Sequence, residues 1–180
     1  GCEPLLKNVA DHDPFEDGPE DVDAAILAAS VHIGRHERAM TSFVKKHLRA
    51  LSEIPTAFVS VSLSETTAED PNAPYDAREQ ARRDVHMMIE RFVEDTGWRP
   101  DRTKPVAGAL AYTKYGVLVR FIMKRIAERS GGSTDTTRDH VYTDWDDLDR
   151  FIGDLVDEMF EDGAIRRAAP APHTLEVKAP

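Results

Sequence analysis

The sequence predicts an α/β fold with a parallel sheet. Three short apolar runs of strand length lie at residues 24–30, 56–63 and 105–112. Continuous apolar runs, as opposed to alternating ones, are typical of strands that are covered on both faces. Amphipathic stretches of helical period separate the runs, and this alternation of strand and helix is the βαβ pattern.

Two helices are predicted between these strands. The first ends before Pro55, and Gly97 terminates the second. The stretch 64–75 contains Pro71, Pro74 and several acidic residues, and is predicted to be a long loop. The apolar positions that define the first helix are Met40, Phe43, Val44, Leu48 and Leu51, and those of the second are Ala81, Val85, Met88, Ile89, Phe92 and Val93.

A last amphipathic helix follows the third strand and is predicted to pack on the sheet. Thr143, three residues before Asp146, is the expected cap of its first turn. Residues 163–180 contain three prolines and no periodicity, so they are predicted to be a flexible tail behind a domain at 1–162. The apolar stripe of the helix is Leu148, Phe151, Ile152, Leu155, Val156, Met159 and Phe160.

Composition and charge limit the classes of function and partner expected for this chain. The chain has 180 residues, of which 41% are hydrophobic, enough for one core. A formal charge of -10 repels phosphate backbones, so no nucleic-acid partner is expected. Cys2 is the one cysteine, which excludes an intrachain disulfide and favours a reducing, cytoplasmic setting. No apolar run reaches the ~18 residues of a membrane span.

Two loops follow predicted strands, at the edge where open α/β sheets bind ligands. The first, residues 30–36, contains Gly34, and the second, residues 60–67, is rich in hydroxyl groups. Ordinary turn chemistry explains both equally well, so neither loop alone identifies a ligand. His32 and His36 flank Gly34, but two histidines without further ligands are a weak metal signal, and no metal is expected.

A basic segment interrupts this acidic chain at residues 114–129. It carries five cations against Glu128 alone, a local +4, and has its own apolar stripe. Such a segment could contact an anionic membrane surface or the carboxylates of a substrate. Alternatively, the stripe packs onto the domain and the cations offset nearby acids. The cations are Lys114, Arg120, Lys124, Arg125 and Arg129, and the stripe is Val117, Leu118, Phe121, Ile122 and Ile126.

Several motifs together resemble one family. They lie at residues 30–34 (SVHIG), 58–64 (FVSVSLS), 106–116 (VAGALAYTKYG), 123–127 (MKRIA), 131–139 (GGSTDTTRD) and 142–145 (YTDW). In these motifs the chain resembles the flavodoxin-domain, menaquinone-dependent protoporphyrinogen IX dehydrogenases. The resemblance covers residues 20–160, and its most specific part is residues 106–145.

The resemblance implies a flavodoxin-like three-layer fold with strand order 2-1-3-4-5 and a long insertion, residues 113–141, in the last strand. It implies FMN as the cofactor, protoporphyrinogen IX as the substrate and a membrane quinone as the electron acceptor, in haem synthesis. The catalytic proton acceptor stays unknown. The residues implied in cofactor binding are Ser30, Val31, His32, Ile33, Gly34, Ser62, Leu63 and Ser64. Those implied in substrate or membrane contact are Tyr115, Arg120, Lys124 and Arg125.

The pattern departs from the family at its beginning. Residues 4–11 (PLLKNVAD) are similar to the family's second strand, so the first strand and its FMN phosphate loop are expected to be absent from these residues. Two other functions remain open: a flavodoxin-like electron carrier, and a flavodoxin-like module that no longer binds FMN. The expected location is cytoplasmic, with peripheral contact to the inner membrane, and a homodimer is left open.

Overall fold

The computed structural model describes residues 6–16, 22–110 and 140–159. Three predicted features lie outside these residues: the basic segment with Tyr115, the glycine-rich motif at 131–139 and the tail at 163–180. The predicted insertion and domain limits therefore stay predictions, as do the predicted contacts of Tyr115, Arg120, Lys124 and Arg125.

Three parallel strands form the centre of the sheet: β1 (Ala25–His32), β3 (Thr56–Ser62) and β4 (Arg102–Ala107). A two-residue strand, β2 (Arg35–His36), pairs antiparallel with the end of β1, and the sheet order is β2-β1-β3-β4. The order β1-β3-β4 corresponds to the 3-4-5 part of the expected family order. The α/β class is confirmed, and no strand precedes Ala25 among the described residues.

One face of the sheet carries an aromatic core. Helices α1 (Arg38–Lys46), α2 (Leu48–Leu51) and α4 (Tyr75–Thr96) lie between the strands in sequence. The predicted first helix is therefore two helices, because the backbone leaves helical geometry at His47 (φ -111°, ψ 22°). The buried residues of this core are Phe15, Leu27, Ala29, Met40, Phe43, Val44, Leu51, Phe58, Phe92 and Trp98.

The opposite face is covered by the last helix, α5 (Trp145–Met159), where Leu155 and Phe151 pack against Ala57. The prediction that Thr143 caps this helix was wrong. The Thr143 hydroxyl instead donates to the Ala107 carbonyl at 2.8 Å, and Asp144 accepts from the Asp147 amide at 2.9 Å. Thr143 is therefore used to join the start of α5 to the end of β4.

The prediction of a loop at 64–75 was also wrong for the first half of this stretch, which forms helix α3 (Ser64–Glu69). The Ser62 hydroxyl accepts a hydrogen bond from the Glu65 amide at 3.3 Å at the start of this helix. Both prolines follow the helix instead of interrupting it, so the irregular stretch shrinks to residues 70–74.

The third predicted strand is shorter than expected at its end. Gly108 interrupts it, and the next two residues form β5 (Ala109–Leu110), which pairs antiparallel with β6 (His140–Val141). The described residues before and after 111–139 therefore meet in this short strand pair. The end of α4 agrees with prediction, since Gly97 has the positive φ (+74°) of a left-handed cap.

The prediction of a strand at 4–11 was wrong for its described residues. Residues 6–11 form no strand, and Asn8 instead holds a turn by accepting from the Ala10 amide at 3.1 Å and donating to Asp11 at 2.7 Å. Beyond this turn, Asp13 accepts from His47 at 2.8 Å and Phe15 packs on Phe43, so the segment is anchored to α1. None of the described helices is both long and apolar enough to cross a membrane.

Candidate functional site

A β-hairpin projects from the carboxyl end of β1. Val31 pairs with His36 and His32 pairs with Arg35, so the turn consists of Ile33 and Gly34 alone. Both have positive φ, 51° and 73°, as the central residues of type I′ turns do. Glycine adopts this geometry readily, but a β-branched residue there is strained by about 1–3 kcal/mol. Ile33 is also 99% exposed, so a strained apolar side chain lies at the tip of the hairpin.

Helix α4 holds this hairpin from one side. The Arg91 guanidinium donates to the Gly34 carbonyl at 3.3 Å, and Asp95, one turn further along the helix, pairs with Arg35 at 3.3 Å. The base of the hairpin is closed by the Glu37 amide, which donates to the Ser30 carbonyl at 3.2 Å. The turn is therefore supported at its tip and at its base.

His36 anchors the hairpin to the core. Its Nε2 lies 2.9 Å from the Ser60 hydroxyl of β3, and both side chains are buried. Its ring lies against the rings of Phe58 and Phe92, at centroid distances of 5.1 and 4.9 Å. Burial lowers the pKa of His36 to about 4, so the imidazole is neutral at pH 7. Its Nδ1 is buried without a hydrogen-bond partner among the described residues.

The second predicted loop lies beside the hairpin. Parallel register pairs Ser30 with Val61 and Ser62 with Ala107, so the carboxyl ends of β1, β3 and β4 meet at one edge of the sheet. Ser62 is buried there, and its carbonyl accepts from the Gly108 amide at 3.0 Å. Leu63 and Ser64 are half-buried and lead into α3.

The structure thus brings the predicted cofactor-binding residues together at one edge. Ser30, Val31, His32, Ile33 and Gly34 form the end of β1 and its hairpin turn, and Ser62, Leu63 and Ser64 form the neighbouring β3–α3 connection. Their role in binding stays a prediction. His32 is exposed and bonds Glu37 at 3.1 Å, whereas His36 is turned inward to Ser60. Within the described residues no group of three or more His, Cys, Asp or Glu side chains could hold a metal ion.

A cluster of charged side chains lies beside this edge, between α3, β4 and α5. Lys104 pairs with Asp147, and hydrogen bonding from Lys104 lowers the pKa of that carboxyl. Glu65 is buried, and burial followed by the charge of Glu69 raises the pKa of its carboxyl. The pKa of Glu69 is also raised, mainly by burial. Burial therefore favours the protonated form of both Glu65 and Glu69 in this cluster.

Sequence reasoning missed the supporting roles of Arg91, Ser60 and Glu65. Arg91 lies on the polar side of an amphipathic helix, where nothing in its spacing distinguishes it from the other arginines. The burial of Glu65 was not predicted because residues 64–75 were assigned to a loop. One signal was available at Ser60. A hydroxyl inside a buried apolar strand needs a hydrogen-bond partner, and another segment of the fold has to supply it.

Together, the parallel sheet, the helices on its two faces and the loops at its carboxyl edge define a flavodoxin-type domain. In agreement, residues 5–137 match the flavodoxin domain family. That match indicates a flavin as the class of cofactor. No solved structure matches the chain at a significant level.

Known relatives narrow the family. The protoporphyrinogen IX dehydrogenase [quinone] of Escherichia coli strain K12 is 36% identical over 136 residues, 76% of this chain and 70% of that protein. The Leishmania major protein of the same name is 31% identical over 135 residues, 75% of this chain and 54% of that protein. The chain therefore belongs to the flavodoxin-domain family of protoporphyrinogen IX dehydrogenases, a family of oxidoreductases.

Proposed function

We propose that this chain oxidises protoporphyrinogen IX to protoporphyrin IX with FMN as its cofactor, and passes the electrons to a quinone. The observation that carries the proposal is the meeting of the β1–β2 hairpin and the β3–α3 connection at the carboxyl edge of the sheet. The names of the Escherichia coli and Leishmania relatives supply the substrate and the acceptor.

The geometry of the two loops suits a flat ring system. Ile33 offers an exposed apolar surface at the hairpin tip, and a Cβ placed on Gly34 would meet nothing within 4 Å, so the space beside this residue is open. The residues that would hold the ring are those from Ser30 to Gly34 together with Ser62, Leu63 and Ser64. A bound flavin supplies the two-electron chemistry. We assign these two loops to the flavin ring, and we assign none of the described residues to the phosphate of FMN.

In this proposal the residues of the chain bind and orient the flavin ring. The hairpin and the β3–α3 connection hold the ring, and the buried apolar core below them excludes water from its inner side. Because the hairpin is supported at tip and base, the ring-facing surface is formed before a ligand arrives. His36 stays neutral at pH 7 and contributes no charge beside the ring.

The basic segment is proposed to contact the substrate's carboxylates or the membrane that contains the quinone, through Tyr115, Arg120, Lys124 and Arg125. Its local charge of +4 within a chain of net charge -10 supports this role. The protein would then be cytoplasmic and would contact the inner membrane peripherally. A homodimer is compatible with this arrangement.

The proposal is tested first by flavin content. Purified chain is titrated with FMN and with FAD, and binding is followed by the quenching of flavin fluorescence. We expect tighter binding of FMN. Oxidation of protoporphyrinogen IX is then measured with and without added menaquinone, and turnover should depend on the quinone. Flavin binding without porphyrinogen oxidation would support the electron-carrier alternative, and absence of flavin binding would support the module that no longer binds FMN.

The basic segment is tested separately by charge reversal. In the triple variant Arg120→Glu, Lys124→Glu, Arg125→Glu, we expect quinone-linked turnover to fall at least tenfold while flavin content is unchanged, since the ring loops are untouched. The matched control reverses three exposed cations outside the proposed surface: Lys45 of α1, Arg83 of α4 and Arg99, which follows α4. Equal kinetics of the two variants would contradict the assigned role.

A further inference from the structure

The hairpin tip is strained, and its support comes from residues that do not face the proposed ligand. Ile33 has a φ of 51° although it is β-branched, and its side chain is fully exposed, so its own packing cannot compensate for the strain. Backbone strain persists where the surrounding structure imposes it. The compensation must therefore come from the contacts that fix the rest of the hairpin.

Two such contacts hold the tip and the returning strand of the hairpin. At the tip, Arg91 reaches from α4 and donates to the carbonyl of Gly34, the second residue of the turn. At the end of β2, His36 is buried in the core and pairs with Ser60 of the central strand β3 at 2.9 Å. The partners are distant in sequence, so both contacts form only in the folded domain.

The His36 contact is rigid for a physical reason. Its ring is packed against Phe58 and Phe92, which are themselves stacked at 4.5 Å, and close packing of this kind restricts rotation of the imidazole. The Ser60 hydroxyl is its hydrogen-bond partner, so the two side chains tie β2 to β3. The parallel ladder up to Ser30 and Val61 sets the spacing of β1 and β3, and the His36–Ser60 bond adds the returning strand of the hairpin to this framework.

We propose that Arg91 and the His36–Ser60 pair are positioning residues, which hold Ile33 in its left-handed conformation so that the flavin ring meets a preformed hairpin. This inference rests on the proposed function, because it names the residues that prepare that site. None of the three side chains touches the ring. Their effect is on flavin affinity, through the fraction of molecules in which the hairpin has the competent shape.

The test uses the full chain without ligand and then with it. In ligand-free protein, the amide-to-α-proton coupling and the α-carbon shift of Ile33 report its φ by nuclear magnetic resonance. We expect left-handed values in the unmodified chain and averaged values in Arg91→Ala and in Ser60→Ala. Titration with FMN and with riboflavin should then show affinity reduced about threefold to tenfold, by the same factor for both ligands, since the hairpin contacts the ring and not the phosphate.

Two controls separate positioning from general damage. Arg83→Ala removes a cation of the same helix whose hydrogen bond is to Gln80, and it should leave both the Ile33 signals and the affinity unchanged. Arg91→Lys keeps a donor and should restore part of the lost affinity. Circular dichroism at the temperature of the titration confirms that the variants are folded.

The outcomes are distinguishable. If the unmodified chain binds FMN and riboflavin but Arg91→Ala and Ser60→Ala bind them equally well, the positioning role is overturned while the proposed function stands. If Ile33 has averaged values already in the unmodified chain, the preformed hairpin is overturned. If the unmodified chain binds no flavin, the proposed function fails, and the role assigned to these residues fails with it.

Discussion

The two faces of the sheet are stabilised differently. Among the described residues, the face that packs against α1 and α4 has a core cluster of ten buried residues, with Phe58, Phe92 and Trp98 in mutual ring contact. The core cluster of the face that packs against α5 has two buried residues in the same part of the chain, Ala57 and Leu155. Ion pairs link that helix to the edge strand β4: Lys104 with Asp147, and Arg102 with Glu158.

This difference shows where the candidate site obtains its support. Burial of apolar area is a larger and less salt-sensitive source of stability than ion pairs at the surface. The His36–Ser60 pair belongs to the aromatic face, since His36 contacts Phe58 and Phe92. The hairpin is therefore fixed to the more strongly packed side of the domain.

The largest effect is expected for Phe58→Ala. Phe58 has no exposed surface, stacks on Phe92 at 4.5 Å and contacts Trp98 at 5.9 Å, so the variant leaves a cavity in the aromatic core. We expect a loss of about 3–5 kcal/mol in the free energy of unfolding, measured by urea denaturation. Met87→Ala, at a half-exposed position of α4, is the control and should cost less than about 1 kcal/mol. A loss as small as that of the control would show that the aromatic face is not the dominant core.

The next effect is the pH dependence of stability through His36. Burial lowers its pKa from 6.5 to about 4, so the unfolded chain binds this proton more readily between those values. Stability contributed by neutral His36 is constant above pH 6.5 and falls as the pH decreases toward 4, by at most about 3 kcal/mol. Urea denaturation of the unmodified chain and of His36→Phe at several pH values checks this. Carboxylates titrate in both proteins, so parallel pH curves of the two would contradict the prediction.

A smaller effect is expected for Leu155→Ala on the opposite face. Leu155 is buried, and among the described residues its cluster consists of Ala57 and the half-buried Ala24 and Phe151, which are mostly small side chains and lose fewer contacts than an aromatic cluster does. We expect a loss near about 2 kcal/mol, at the low end for such truncations. The measurement is urea denaturation at pH 7, with Phe58→Ala as the direct comparison. A larger loss than that of Phe58→Ala would reverse the ranking of the two faces.

The smallest effect is expected for Glu158→Gln. Its partner Arg102 and Glu158 itself are each about half-exposed, so solvent screens the pair. The loss should be about 0.2–1 kcal/mol at low salt and should vanish in 1 M salt. Thermal denaturation at two salt concentrations measures it. The control is Asp157→Asn, at a neighbouring exposed acid that has no ion pair with any described residue, and it should show no salt-dependent difference.

Much of the fold could be predicted from local pattern. The apolar runs gave the three parallel strands to within a few residues, and the residue spacing gave α4 and α5, because burial on one or both faces leaves a period in the sequence. The residues predicted to bind the cofactor do lie together at one edge of the sheet, as the general rule for parallel strands requires, and their role in binding stays a prediction. The errors lie where side chains redirect the backbone: the turn at Asn8, the break at His47, the short helix α3 and the cap at Asp144.

Local pattern specifies most of the strands and helices and their apolar faces, and the motifs specify the family to which the chain is similar. The folded structure is needed to show that His36 turns inward to Ser60, 24 residues away, and that Arg91 supports Gly34, 57 residues away. The cause is the distance in sequence between the partners. Periodicity records how each residue meets the core, but a hydrogen bond between distant segments depends on where packing places their ends, and no local pattern carries that distance.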